Sequence, residues 1–500
     1  GVGGNVLLVF NDMDATAAII DMPFTVSGNV TVSANMKADS VANLAAATVG
    51  GVAVGLSTSY VGLNAKNVAM LEIPEGIAGS AASIQVYAGD ANHINSFDST
   101  ASTVAGTVGA VAVGLNAAVA DINASNKAMI LSKGTIIGSV DVQANSAAAA
   151  QAEIYFVSAG GVNVAAATAV SLLRIKQLAE VDIVNLKNSG SFNVSSMLNE
   201  GAGKIPSYVK LVTVSGGVLN ASANVAVAYS LSESIAKAIL HNATNVGNIM
   251  VNSSGSADAK SETLNQSVGV FNGSVYVNVA YAKGTFESVL RVLGQVSADN
   301  ATVQNKYTTN SYADLTPTAT KKEFSLGSFS VNLAIAKAAS NALAALEGNG
   351  KLVLSNNLLV KADGSNSRAN ANINGASVSA SGFTFGANIA DSQMAMEQTV
   401  RIDHITVDAG GKIEVIGNAN NLVSNAETGA NFGVSIKIVG GNANSANANV
   451  SAVNQIILDY AKLTAAGEQD FELDTYTNVL GGCDGITEEG LKEMNELMGE

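Results

Sequence analysis

Three histidines, His93, His241 and His404, and one cysteine, Cys483, are the imidazole and thiol groups available for zinc ligation or nucleophilic catalysis. Metal centres need several such ligands at short spacing, and these four lie far apart in sequence. Asp403-His404 is the closest approach to a carboxylate–imidazole pair, and the ordinary expectation for it is a lone surface histidine. Gly481-Gly-Cys483-Asp484-Gly485 faintly matches one turn of a glycine–aspartate calcium repeat, which functions only in tandem. Asn11-Asp12-Met13-Asp14 offers oxygen ligands without the remaining calcium-loop pattern. Gly50-Gly-Val-Ala-Val-Gly55 is not a phosphate loop, because no Lys-Ser/Thr follows. Clustered carboxylates of the kind used by pectin-degrading β-helices are not evident either. The expectation is a chain without catalytic, cofactor-binding or metal-binding residues, and not an enzyme.

The elements that would have to position any chemistry are unusual. The chain has 500 residues, 48% hydrophobic but only 5% aromatic, with no Trp, 49 Gly and 4 Pro. Small and β-branched side chains suit thin, closely stacked sheets. Charged residues make up 13% and the net charge is −15. That balance opposes nucleic-acid binding, which needs a basic face, and fits an extracellular surface. One cysteine allows no intrachain disulfide. The opening Gly1-Val2-Gly3-Gly4 lacks a Met and a basic leader, as a fragment or processed product would. Uncharged stretches at Ala45–Ala65 and Ala101–Ala120 approach membrane-spanning length. They are rich in Gly, Thr and Ser rather than Leu and Phe, so no membrane span is expected.

Repetition organises the chain. Thr48-Val-Gly-Gly-Val-Ala-Val-Gly-Leu56 returns as Thr107-Val-Gly-Ala-Val-Ala-Val-Gly-Leu115, and the match runs on to Leu71 and Ile130 at about 13 of 24 positions. A second element, apolar-x-Val-x-small, centres on Val32, Val86, Val142, Val194, Val251, Val303, Leu359 and Val415, about 52 to 57 residues apart. Phe471-Glu-Leu473 is a degenerate ninth copy. A glycine-led strand follows each centre, beginning near Gly51, Gly109, Gly161, Gly217, Gly269, Gly327, Gly382 and Gly433. Its period of two, as in Val270–Val279, means strand. Helical solenoids need Leu stripes, and propeller blades usually carry aromatic signatures. Neither is present. The pattern predicts an all-β fold occupying residues 1–468. It is a parallel β-solenoid (β-helix) of about eight repeats of roughly 55 residues. Asn35, Asn145 and Asn418, just past strand centres, are placed to turn the chain and stack their amides along the axis.

Residues 469–500 are acidic and break the pattern. Thr487 is a plausible N-cap for a short helix to Met498, with Leu491, Met494, Leu497 and Met498 on one face. This tail would cap the last coil or begin a further domain.

The Gly-Gly-Val-Ala-Val-Gly strand, the Val-x-Val-x-Ala strand and the Ala/Asn/Ser-rich spacing resemble leukotoxin-type filamentous adhesins of anaerobic bacteria, relatives in style of filamentous haemagglutinins. The resemblance spans about residues 25–455. It implies a secreted or cell-surface protein, a structural stalk presenting or forming a binding surface for a host or neighbouring-cell ligand, and no catalytic residues. The alternative expectation is a self-assembling extracellular filament or surface-layer subunit that associates end to end.

Overall fold

In the computed structural model, residues 1–90, 92–199, 204–318, 323–374, 379–428, 437–466 and 471–484 are described. The expected helix over Thr487–Met498 lies outside them, as does Gly433. The described residues form one all-β structure in which eighteen strands join a single sheet. They contain no helix, and therefore none long and apolar enough to cross a membrane.

Several strands are far longer than a straight strand in a globular protein. Lys37–Ile73 has 37 residues, Asn95–Leu198 has 104 and Ser207–Val292 has 86. The register explains how they fit. Val2 faces Val54, and Lys37 faces Ser96. The first shares the shortest offset with most of the ladder between Ser207–Val292 and Gln295–Thr318, and the second has the longest. Every ladder is parallel, and the others fall between, as in Ala150 with Ser207 and Ser379 with Glu323. A parallel partner at a near-constant sequence distance requires the chain to come back to the same edge once per circuit. It bends at corners without losing its neighbour, each circuit lying about 4.8 Å from the last.

Side chains alternate between inside and outside along each run, and the inside positions stack into columns. Val32 faces Val86 and Val86 faces Val142. Further along, Val194, Val251, Val303, Val360 and Val415 follow one another. All of these valines are buried. The column passes through Val360, not Leu359. A shift of one residue moves a side chain to the opposite face, so Leu358 and Val360 enter the core and Leu359 points away from it. Likewise Gly50 and Gly160, rather than Gly51 and Gly161, align with Gly109 and Gly217. Pairing does not stop at residue 468. Phe471–Asp484 lies in parallel register on Ile413–Glu427, with Leu473 opposite Val415.

Three kinds of column hold the circuits together inside. Aliphatic columns make up the two large clusters. A smaller cluster centres on Phe286 and Tyr307, stacked at 5.0 Å, where the Tyr307 hydroxyl donates to Gln398 Oε1 at 3.0 Å. Polar side chains form the third kind. Asn67 Nδ2 donates to Asn126 Oδ1 at 2.9 Å and to the Ala34 carbonyl at 2.8 Å. Asn126 repeats the cross-core bond to Ala88, Gln177 to Ala144, Gln398 to Ala362 and Asn454 to Gly417. An amide spanning from one sheet segment to a carbonyl on the opposite one fixes register, because a shifted circuit would leave both groups buried and unbonded.

Candidate functional site: the glycine corner and the exposed ladders

The repeated glycine-led strand is a corner. Along Lys37–Ile73 the outward positions are odd-numbered up to Gly51 and even-numbered from Val52, so two consecutive residues face out. The same switch occurs at Gly161-Val162 and Val218-Leu219. Glycine is required there by space. A β-carbon on Gly160 or Gly269 would stand 2.5 or 2.8 Å from the carbonyl oxygen of the glycine one circuit earlier, and on Gly109 or Gly217 closer still. The backbones approach in a column too tight for any other residue.

Just inside this corner runs an amide ladder. Asn163 Nδ2 donates to Asn220 Oδ1 at 2.7 Å, and Asn220 Nδ2 to Asn272 Oδ1 at 2.9 Å. Ser158, Ser215 and Ser267, each shortly before its asparagine in the chain, brace the ladder from within the same circuit. A second ladder joins Asn332, Asn388 and Asn444 at 2.7 and 2.9 Å. These amides are engaged along the axis, so they tie circuits together rather than await a ligand. Outside the corner, Val162, Leu219, Phe271, Phe329 and Phe383 line an open groove of about 540 Å³.

The asparagines singled out from the sequence behave differently. Asn35 bonds Ser33, Asn145 the Asp90 carbonyl and Asn418 the Asp363 carboxylate. None of the three has a left-handed backbone. That conformation falls on Asn188 and Asn245, and on Asn366 and Asn421, pairs one circuit apart that bond each other at 3.1 and 2.8 Å. Asparagine tolerates it best among side-chain-bearing residues.

The three histidines remain apart. His93 lies beside Asp90, and His241 beside Asp182 at 3.2 Å. His404 contacts Asp403, and its ring packs on Tyr460 with centroids 4.9 Å apart. The register sets Asp403 opposite Asp459, so Asp403, His404 and Asp459 bring one ligand atom each within 4.8 Å of one another. Sequence reading misses Asp459 because it sits one full circuit away. The trio is exposed or half-exposed, and His404 and Tyr460 share the left-handed backbone with Gly348 in the preceding circuit. Asp12 accepts from Asn64 at 2.8 Å. Cys483 lies opposite Ala426 in register.

Perturbed acids are dispersed. Burial pushes the Asp258, Asp314 and Glu287 carboxyls up. Burial, and then the Asp141 carboxylate, push the Tyr87 hydroxyl up, with the hydroxyl donating to Asp141 at 2.5 Å. Tyr208 and Glu262 make the same kind of pair at 2.6 Å. Each is a rung-to-rung contact on a wall, not a group facing a shared cleft, and a functional acid or base needs such a cleft.

No family model, curated protein or solved structure matches the chain. Its function must be read from its own geometry.

Proposed function

We propose that this chain is the stalk of a bacterial surface-exposed or secreted adhesin. In this reading it is a parallel β-solenoid of about eight repeats of roughly 55 residues that presents or forms a binding surface. One observation carries the reading: parallel register at a near-constant offset runs from Val2 to Asp484. A fold that grows along one axis, with polar columns spent on register, is built for extension and display rather than for turnover. The resemblance to leukotoxin-type filamentous adhesins agrees in texture and period. The occupant would be a host or neighbouring-cell surface ligand.

The test is display of the chain on a non-adherent bacterium, with attachment to an epithelial monolayer counted under flow. Retention well above the parent strain supports the reading, and parental retention overturns it. A second reading is an end-to-end filament or surface-layer subunit. Among the described residues Val2–Ile20 bonds only to Lys37–Ile73, and it leaves Val2, Val6 and Phe10 exposed. Long fibres of the purified chain by electron microscopy would select this reading.

A further inference from the structure

We propose that the outer face of the glycine corner is a pairing surface for a second copy of this chain, laid side by side and antiparallel about a two-fold axis near Leu219. The proposal is independent of the adhesin reading and concerns the flank of the stack, not its ends.

The face is uncharged on seven successive circuits, and Lys437, opposite Ser381, bounds it on the next. Residues 40–65, 99–120, 154–173, 211–232, 263–282, 324–336 and 369–390 contain no Asp, Glu, Lys or Arg. These seven runs are the corner segments that the register stacks. All of the −15 net charge therefore lies elsewhere. Two adjacent outward columns carry the apolar side chains. One follows Val52, Val111, Val162, Leu219, Phe271, Gly327 and Phe383, and the other Val54, Val113, Val164, Ala221, Gly273, Phe329 and Phe385. Val52 is 59% exposed, Leu219 47%, Phe271 47% and Phe383 55%.

Size favours a macromolecular partner. Seven circuits at about 4.8 Å and three apolar columns about 7 Å apart, the third running beside these two through Leu56, Leu115 and Val275, give a face of about 600–700 Å². Two such faces together bury about 1,200–1,400 Å², which is within the range of specific interfaces. A contiguous apolar patch of this extent is rare on a protein that stays alone. Charge favours a second copy over an anionic bilayer, because the stripe has no Lys or Arg among its residues and the chain is strongly acidic. Face-to-face pairing keeps the charged walls of both copies farthest apart.

The gradation of bulk sets the direction. Valines occupy the N-terminal half of the stripe and phenylalanines the C-terminal half, alternating with Gly273 and Gly327. Antiparallel pairing places Phe383 over Val52 and Phe271 over Val162, so large side chains meet small ones and the groove lined by Leu219, Phe271 and Phe329 receives a knob. Parallel pairing would keep circuits of equal bulk together, so that Phe383 meets a ring of its own circuit while the valine circuits of Val52, Val111 and Val162 meet only valines. Leu219, fourth of seven in its column, then faces its own copy, as an isologous interface requires.

The experiment combines sedimentation of the full chain with disulfide trapping in a Cys483→Ala background. A dimer should form, strengthened by salt that screens the acidic walls. Leu219→Cys alone should cross-link, Val52→Cys alone should not, and Val52→Cys mixed with Phe383→Cys should. Val162→Lys with Leu219→Lys should weaken association at least tenfold. If that pair lowers the unfolding midpoint, Leu219→Asn replaces it. A chain that stays monomeric, a dimer indifferent to these substitutions, cross-linking by Val52→Cys alone, or a monomer that binds neutral phosphatidylcholine vesicles would each overturn the proposal.

Discussion

Gly160 and Gly51 are both corner glycines, yet their surroundings differ. A β-carbon on Gly160 meets the Gly109 carbonyl at 2.5 Å, whereas one on Gly51 meets nothing within 4 Å. Gly160→Ala should therefore cost about 1–3 kcal/mol by overpacking backbone against backbone. Gly51→Ala should be neutral or stabilise by up to about 1 kcal/mol, since it only restricts the unfolded chain. Urea denaturation of the two variants checks this. Asn126 gives a second comparison. It accepts from Asn67 and Asn95 and donates to the Ala88 carbonyl, all buried. Asn126→Ala should cost about 2–3 kcal/mol through the unbonded groups left behind. Asn123→Ala, at an exposed rung whose bond to Asn64 is 3.5 Å long, should change stability by less than about 0.5 kcal/mol.

Between neighbouring circuits, ion pairs supplement the ladders. Glu347 accepts from Arg291 Nε at 2.8 Å on one side and Arg401 Nη2 at 2.5 Å on the other. Its carboxylate is nearly buried while the arginines are partly exposed, which discounts the energy. Glu347→Gln should lower stability by about 1–2 kcal/mol, and the loss should shrink in Arg401→Met, as a double-mutant cycle by denaturation would show. The strand columns are legible in the sequence because buried Val recurs at steady spacing with small residues beside it. The phase slips at Leu358-Leu359-Val360, where three consecutive apolar residues offer two registers, and at Gly50-Gly51, where either glycine could lead. The cross-core amides are not legible. Asn67 and the Ala34 carbonyl it bonds lie more than half a circuit apart along the chain, and nothing local marks them as partners. Asp459 joins Asp403 and His404 only once the register is known.

Across the whole molecule, acids on the walls link stability to pH. Asp258 is raised by burial, although Asn310 and Ser256 hydrogen bonds oppose the shift; Asp314 and Glu287 are raised by burial as well. A carboxyl raised in the folded state binds its proton more tightly there than in the unfolded chain. Its contribution is complete below the ordinary carboxylate range, near about pH 4, and is lost as pH rises through the raised folded value. Asp258→Asn cannot ionise. As pH rises from the ordinary carboxylate range near about pH 4, its urea midpoint should fall less than that of the parent, with equal slopes in both proteins throughout disproving the assignment.

The near-constant offset between paired strands has a mechanical meaning. A pull between the two ends runs along the stacking axis and loads the outermost circuit first, peeling its hydrogen bonds in turn rather than shearing them together. Each circuit of roughly 55 residues that comes away releases about 190 Å of chain, while it occupied only about 4.8 Å of the stack. A stack built this way yields circuit by circuit and lengthens some fortyfold before its core is spent.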